Sequence, residues 1–487
     1  MTSSRTEHSS DLALIPNRRQ MLATALVASL CGLPQMRVHG ETAKRSRLLA
    51  RPQGIDLLET RCKVILELEG ELRIEEPDPK KAEKIRTAEV RCKATHDYFE
   101  TIAFDQSLPA AAARRYITAE SENWVSGSAS THTLRPTCAR TVVVEHKGTW
   151  EQYCDAEPLE RREVELLRSP INTLALEQLL SVEPATPTSS WEIPAECAKH
   201  VFNLEAVHAS TVQAKITAVE QGTATVELSG ELDATANSVP TKLTIKGSLH
   251  AKLGKQCVMI TWLGASIQEE RSISEIEPGF AITARIQLIR ADSSGEIETD
   301  RANLLSLRES QDTGRWLVQL ESIPGRYSML TERNWFTYID GGEEAILRMI
   351  ENNTVIAQCN IARLPELEEG THLSLEGMQA DIKKALGDSF GEMLESSEKA
   401  TDAGLRVLRT VVMGKLEDVP IQWIYVHASN DAGRRLALVF TMGGNYTERF
   451  AAADEQMASS LEMLPEVTEA QPSVAPQLSS APQAQQR

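Results

Sequence analysis

The sequence predicts an α+β protein in which a large antiparallel β half-barrel precedes a smaller α/β/α domain. Two observations lead to this prediction. From about residue 56 to residue 291, apolar and polar residues alternate, which is the period of a strand with one buried face. After a polar stretch at 292–312, short apolar runs are interleaved with two amphipathic helical patterns as far as Pro465. We therefore place the half-barrel at 41–291, a linker at 292–312 and the second domain at 313–465.

The predicted strands of the first domain are long and one-sided. In the first of them Val64 and Leu66 lie on one face, whereas Glu67 lies on the other. We count roughly ten such strands, which is near the number at which an open sheet must curl or close. An antiparallel sheet of this kind keeps one face in water, so its apolar face needs a cover. Two short helical patterns, at 158–167 and 194–201, are the candidates for that cover.

The apolar face of so many strands exceeds the area that two short helices cover. We therefore predict a partly open apolar groove, because a large exposed apolar patch on a water-soluble domain usually marks a binding surface. The predicted lining is aliphatic and comes from three parts of the sheet: Val64, Leu66, Leu243, Ile245, Ile282 and Ile286. In the alternative interpretation these residues are sealed core.

The strand pattern with its central helices, over about residues 50–292, resembles the curved half-barrel of the LolA-like group of exported carriers. No residue motif contributes to this resemblance. It implies carriage of a lipid or an acyl chain inside the half-barrel.

The second domain begins a new pattern. Ser374 is placed to cap a helix that Gly387 ends, three strands follow at 405–413, 421–428 and 435–442, and a final helix ends before Pro465. This order, with Gly433-Arg434-Arg435 leading into alternating apolar residues, is similar to the PsbP-like α/β/α fold over about residues 323–465. The resemblance implies a binding or assembly module and no particular activity. The chain after Pro465, 466–487, is rich in Pro, Gln, Ala and Ser, so we expect it to be disordered.

One strand of the second domain has an aromatic stripe. Trp423, Tyr425 and His427 share a strand face with Ile421, which suggests a binding stripe with one titratable group. Aromatic residues on strands are common in cores, so the alternative is a face covered by a helix.

The first forty residues resemble a twin-arginine export signal. Arg18 and Arg19 directly precede an apolar run at 21–33, and small residues near Gly40 suit cleavage there. The run is shorter than the ~20 residues that span a bilayer, which leaves a membrane anchor as the weaker alternative. The resemblance implies folding before export, then a periplasmic or secreted protein that meets the membrane only through the signal, before cleavage.

The charge excludes some partners. The full chain has a formal net charge of −18. Residues 1–40 contain four basic and two acidic residues, so the mature chain has (51 − 4) − (69 − 2) = −20. Such a chain repels nucleic acid and anionic lipid.

Cysteines and histidines supply two further hypotheses. Cys138 and Cys154 flank a predicted hairpin and are nearly opposite each other, which favours a disulfide in an oxidising compartment. Cys197 and His200 are three residues apart, but no second Cys/His pair completes a zinc site, so we predict no metal.

No cofactor motif and no common hydrolase, zincin or nucleotide-binding signature occurs. We therefore predict an exported, non-enzymatic envelope protein without a cofactor. It would bind either an apolar small molecule, such as a lipid or acyl chain, or another envelope protein. The alternatives are a structural or assembly protein with no ligand, and a hydrolase whose active-site residues are far apart in the sequence.

Overall fold

A computed structural model describes residues 55–76, 84–106, 108–181, 185–253, 258–274 and 278–465. The predicted signal with Arg18 and Arg19, and the predicted tail at 466–487, lie outside the described residues. In the part of the chain that the structure describes, no helix has the length and apolar character needed to cross a bilayer.

The first part of the chain builds one antiparallel sheet of thirteen strands. Its order, from one edge to the other, is β6 (Thr149–Tyr153), β5 (Arg140–His146), β3 (Leu108–Val125), β2 (Lys84–Asp105), β1 (Leu57–Glu76), β14 (Gly279–Asp292), β13 (Val258–Arg271), β12 (Val239–Leu253), β11 (Thr223–Ala236), β10 (Gln213–Glu220) and β8 (Ser190–Glu192). Two further strands, β4 (Ser128–Thr133) and β9 (Ala206–Ser210), pair with β3 and β11. The long pairing of β1 with β14 joins the two halves of the sheet.

The sheet curves around a segment of its own chain. This segment contains β7 (Leu159–Glu160), α1 (Arg161–Leu166), a 3₁₀ helix (Thr173–Leu179) and α2 (Ala195–Val201). The 3₁₀ helix contacts both β3 and β13, which are four strands apart in the sheet order. A flat sheet would separate these strands by ~19 Å. Seven residues of 3₁₀ helix extend only ~14 Å. The sheet is therefore strongly curved, and the predicted helices α1 and α2 lie within the curve.

The prediction of an open apolar groove is wrong, because the residues predicted to line it are buried. The exposed fractions of the six residues are all small: Val64 2%, Leu66 1%, Leu243 5%, Ile245 0%, Ile282 5% and Ile286 1%. Five of them belong to one core cluster with residues of α1, the 3₁₀ helix and α2, while Ile282 packs in a neighbouring cluster. The apolar face is covered because the chain between the helices also packs on it. The alternative interpretation, sealed core, is the one that fits these positions.

The second part of the chain contains a seven-stranded antiparallel sheet. Its order is β17 (Trp335–Asp340), β18 (Glu344–Glu351), β19 (Thr354–Leu364), β23 (Arg435–Gly443), β22 (Val419–Ser429), β21 (Arg406–Leu416) and β20 (Phe390–Ala400). Helix α4 (Leu375–Leu386) packs on one face. The short helices α5 (Thr447–Phe450) and α6 (Ala453–Ser459) pack on the other. The sheet thus has helices on both faces.

The ends of α4 confirm the sequence prediction. The Gly377 N–H donates to Ser374 Oγ at 3.0 Å, which satisfies one of the unpaired amides of the first turn. Gly387 follows the last residue with φ of +52°, a backbone conformation that side chains disfavour.

The segment at 292–312 differs from a simple linker. It contains α3 (Arg301–Glu309), which begins where Asp300 Oδ1 accepts from the Asn303 N–H at 2.8 Å. Leu304 is fully buried against the large sheet. This helix is mostly polar and buries only one leucine, so its composition is that of a linker. For this reason the sequence pattern did not predict a helix here.

The two parts are joined by a small sheet and by arginines. The strand β7 pairs with β15 (Val318–Ser322), which continues to β16 (Tyr327–Thr331) and β24 (Glu462–Met463). Arg161 Nη2 donates to the carbonyl oxygens of Arg333 and Trp335 at 2.8 and 2.7 Å. Arg333 in turn donates to the Gln152 carbonyl oxygen at 2.6 Å. These hydrogen bonds hold the chain around Arg333 and Trp335 against β6 and α1.

Candidate functional site: a basic cleft

A cleft of about 310 Å³ lies where the two parts meet. Its walls are the β5–β6 hairpin, the chain after α1, the end of α2 and the inner face of β12 and β13, with Arg333 from the second part. We call it the basic cleft after the five basic residues in its lining: Arg114, Arg168, Lys199, Arg271 and Arg333. Its volume is at the lower end of the range for small-molecule sites.

The lining of the basic cleft has an excess of positive charge. Its five Lys and Arg residues face three acidic residues, Glu151, Glu205 and Glu269, and Glu100 behind the lining pairs with Arg114, so the difference is 5 − 4 = +1. The chain as a whole has a net charge of −18. Low-dielectric walls strengthen the attraction of such a local charge for a ligand of opposite sign. The basic cleft therefore favours an anion.

The basic side chains are held in place by ion pairs. Arg333 Nη1 lies 2.6 Å from Glu151 Oε2, and Arg168 Nη2 lies 3.8 Å from Glu151 Oε1. Arg271 Nη2 lies 2.6 Å from Glu269 Oε1, and the guanidinium stacks over the Phe280 ring. Burial lowers the pKa of Arg333 from its usual value, and the nearby Glu151 opposes that shift.

Two hydrogen-bond donors in the lining lack an acceptor among the described residues. They are Trp150 Nε1 and Asn172 Nδ2. Asn172 is 5% exposed, and its Oδ1 accepts from the Leu174 N–H at 3.1 Å. That bond fixes the amide, so Nδ2 is the free donor. Buried donors are nearly always satisfied, so this pair is suited to an acceptor supplied by a ligand.

A buried polar network lies behind the cleft and orders one of its arginines. Arg114 Nε donates to Glu100 Oε1 at 2.7 Å, and Arg114 Nη2 donates to Thr173 Oγ1 at 3.0 Å. Arg114 Nη1 donates to Gln152 Oε1 at 2.8 Å. Burial alone would lower the pKa of Arg114, but Tyr98 and Glu100 keep it well above its usual value.

The same network pins the 3₁₀ helix inside the curved sheet. Arg290, which is fully buried, donates to the Ile260 carbonyl oxygen at 3.1 Å and to the Thr173 carbonyl oxygen at 3.3 Å. It also pairs with Glu177 of the 3₁₀ helix. The buried charges of the curved sheet therefore hold the covering segment, which is the chain from β7 to α2.

Two of the sequence-predicted ligand residues reach a cleft. Leu243 contributes to the basic cleft, and Leu243 and Ile282 both contribute to a more open groove across the sheet. Val64, Leu66, Ile245 and Ile286 lie in the core. The predicted residues therefore lie on the face of the sheet that contributes to the cleft, but most of them do not line the cleft.

The aromatic stripe of β22 is core. Tyr425 packs against the cluster under α4, and the buried Trp423 and His427 share its face, since they pair with Val412 and Leu408 of that cluster. Burial lowers the pKa of His427 to about 4, with Arg435 and Arg406 adding to the shift. The alternative interpretation, in which a helix covers this face, therefore fits the structure. The interpretation of these residues as an exposed binding stripe does not.

The other sequence candidates have different positions. His200 contributes to the basic cleft, whereas Cys197 is buried on α2. Among the described residues, no group of three or more His, Cys, Asp and Glu is arranged to hold a metal. Cys138 and Cys154 are free thiols, so the predicted disulfide is not formed in this structure.

Sequence reasoning missed the basic cleft, although the strands contain a signal for it. Along the inner face of β13, the apolar series ending at Ile267 continues into Glu269 and Arg271. Along β14 the series ending at Leu288 continues into Arg290. Charged residues on an apolar strand face indicate a buried polar site.

The comparisons with known proteins assign no family. No family model matches the chain, and no curated protein matches its sequence. A Bacteroides thetaiotaomicron VPI-5482 protein known from a crystal structure aligns with 30% of this chain and 48% of its own, at 13% identity and a TM-score of 0.23. Lipovitellin, whose structure is described for lipid–protein interactions, aligns with 50% of this chain and 26% of its own, at 8% identity and a TM-score of 0.27. The chain thus spans about half the length of the first and about a quarter of the second. The translocator domain of the Neisseria meningitidis autotransporter NalP aligns with 80% of this chain and 89% of its own, at 8% identity and a TM-score of 0.12. At these scores the cleft has to be interpreted from its own chemistry.

Proposed function

We propose that this protein is a non-enzymatic envelope protein that binds a small amphipathic anion in the basic cleft. The ligand is a carboxylate or phosphate with a short apolar tail. The observation that carries the proposal is the pair of unsatisfied donors, Trp150 Nε1 and Asn172 Nδ2, within a lining that has an excess of positive charge. This is a narrower form of the lipid or acyl ligand that the LolA-like resemblance implies.

The apolar part of the lining supports a tail on the ligand. Aliphatic and aromatic side chains share the cleft with the charged groups: Val143, Val164, Leu167, Ile171, Phe202 and Leu204. Binding sites of this size combine apolar walls with a few polar groups that orient the ligand. A volume of about 310 Å³ suits a tail of several carbons and is small for a whole membrane lipid.

The substitution Asn172→Asp tests the site. It retains the oxygen that accepts from Leu174, removes the free N–H donor and adds a negative charge beside the anion. We expect the affinity for octanoate, measured by calorimetry, to fall about tenfold to one-hundredfold, because a hydrogen bond to a charged group contributes ~1.5–3 kcal/mol.

Two controls accompany this measurement. Asn303→Asp makes the same chemical change on the exposed side of α3, outside the cleft, and should leave octanoate binding unchanged. Octylamine, which has the same tail and the opposite charge, should not bind. Equal binding of octanoate and octylamine, or unchanged binding by the Asn172→Asp variant, would contradict the proposal.

A second candidate function is assembly without a ligand. The observation in its favour is that the covering segment fills the half-barrel with the protein's own side chains. In this case the second part, which we propose to be a PsbP-like module, supplies the partner surface. Octanoate then leaves the melting temperature unchanged, while a folded partner protein raises it.

We further propose export by the twin-arginine route to the periplasm or beyond. Replacing Arg18 and Arg19 by lysine retains the charge and removes the guanidinium pair that the export receptor distinguishes. We expect the double variant to accumulate in the cytoplasm at least tenfold relative to the wild-type chain, as measured by cell fractionation. A chain with Arg5 replaced by lysine serves as the control, and normal export of the double variant would indicate general secretion instead.

A further inference from the structure

The two thiols beside α1 are arranged unequally. Cys138 ends a 3₁₀ turn (Pro136–Cys138) before β5, and Cys154 directly follows β6. The pairing of Val142 with Tyr153 brings these strand ends together, and the two thiols are close enough for each to shift the pKa of the other. Cys138 has no exposed surface, whereas Cys154 is 7% exposed. A reagent from solvent therefore meets Cys154 first.

The polar groups around the two thiols also differ between Cys154 and Cys138. The Cys154 thiol donates to the Thr137 carbonyl oxygen at 3.7 Å, and the backbone groups of Glu157 and Ala156 favour the thiolate once that proton leaves. The Cys138 thiol donates to Glu157 Oε1 at 3.6 Å, so this carboxylate is positioned to accept its proton. The Arg135 Nη2 group donates to Cys138 Sγ at 3.5 Å and stabilises negative charge on that sulfur as it forms.

We propose that Cys138 and Cys154 are a redox-active dithiol that forms a reversible disulfide by exchange with an external disulfide, with Cys154 as the attacking sulfur. The Cys154 thiolate attacks one sulfur of the external disulfide, forms a mixed disulfide and releases the first thiol. Cys138 passes its proton to Glu157 and attacks Cys154 Sγ, which releases the second thiol. The external disulfide is reduced by two electrons to two thiols, and the protein dithiol is oxidised by two electrons to a disulfide.

The difference in acidity between the thiols supports this order of attack. The neighbouring Cys138 lowers the pKa of Cys154 to about 6, and the backbone groups of Glu157 and Ala156 contribute. The pKa of Cys138 is raised by the neighbouring Cys154 and by burial. By contrast, burial beside Glu100 raises the pKa of Cys62 to about 12, so that thiol is unreactive at neutral pH.

The experiment incubates the folded wild-type protein with oxidised glutathione at pH 7, alkylates the remaining thiols and maps tryptic peptides by mass spectrometry. We expect one linked pair, joining the peptide that contains Cys138 to the peptide that contains Cys154, and its loss when reduced glutathione is added. The bridge closes a short loop of the unfolded chain, so the oxidised protein should melt about 5 °C higher.

Single variants determine which sulfur attacks. Cys138→Ala should accumulate glutathione on Cys154, because the second sulfur is missing. Cys154→Ala should take up at least tenfold less glutathione on Cys138. Cys359→Ala, in the other sheet, is the control and should form the same linked pair as the wild type. The proposal is overturned if the wild-type protein forms no linked pair until it is denatured, or if Cys138 rather than Cys154 traps glutathione.

Discussion

Replacing Arg290 by methionine is expected to lower the free energy of unfolding by about 3–5 kcal/mol, because it leaves a charge unpaired in the core. Arg290 is fully buried, and its partner Glu177 is 7% exposed. Without the guanidinium, Glu177 retains one weak bond from the described residues, the Ile260 N–H at 3.3 Å. The Ile260 and Thr173 carbonyl oxygens also lose a donor. Urea denaturation monitored by tryptophan fluorescence measures the loss.

The double variant Arg290→Met with Glu177→Leu separates the buried charge from lost packing. Apolar replacement of both partners is often neutral, so we expect it to recover most of the stability. Arg91→Met is the matched surface control, since Arg91 pairs with Glu89 while both side chains are more than 60% exposed. Its expected cost is below ~1 kcal/mol. A small loss in the single variant, or no recovery in the double variant, would show that the pair does not hold the covering segment.

Acid is expected to destabilise the protein through two buried histidines. Burial lowers the pKa of both His96 and His427 from 6.5 to about 4. Arg114 adds to the shift of His96, and Arg435 adds to that of His427. In the unfolded chain both imidazoles bind a proton as the pH falls below about 6.5, whereas in the folded chain they remain neutral to about pH 4. The unfolded state therefore gains protons first, and stability falls with decreasing pH across this window.

The size of the acid effect follows from the shift. One pKa unit corresponds to ~1.36 kcal/mol, so each histidine costs about 2 kcal/mol of stability between pH 7 and pH 5. The lowered pKa of Glu163 adds a loss only below its unfolded value of 4.5, outside this range. Chemical denaturation at pH 7, 6 and 5 provides the measurement.

The variant His427→Leu isolates the contribution of one histidine to the acid effect. Neither ring nitrogen of His427 has a hydrogen-bond partner on another described residue, so leucine breaks no bond to a neighbouring side chain. We expect the variant to lose about 2 kcal/mol less than the wild type on going from pH 7 to pH 5. His208→Leu, at an exposed position of β9, is the control and should retain the wild-type pH dependence. Identical pH dependence in the His427→Leu variant and the wild type would contradict the burial argument.

The sequence patterns that involve near neighbours predicted structure well. Alternation along β1, β12 and β14 identified strands with one buried face, because side chains two apart necessarily share a face. Ser374 and Gly387 predicted both ends of α4, because capping depends on residues within one turn. The short helices α1 and α2 were found for the same reason.

The candidate site could not be predicted in the same way. Trp150, Asn172, Arg271 and Arg333 are brought together by the curvature of the large sheet and by the seating of the second part. Each pair is at least twenty residues apart, and a hydrogen bond left unmade at Trp150 or Asn172 has no signature in one sequence. Helix α3 could not be predicted from the sequence either, because a single buried leucine gives no helical periodicity of apolar residues.

What the sequence by itself determined is therefore the one-sided strands, the helix that begins after Ser374, the acidic net charge and the prediction of an export signal. Only the tertiary structure decided that the apolar face is sealed. An open groove and a filled core require the same aliphatic residues, such as Leu66 and Ile286, on the same strand face. The difference lies in whether a distant segment packs on them. Here Arg290 and Glu177 hold the 3₁₀ helix against that face, and the free energy of this contact depends on groups more than a hundred residues apart.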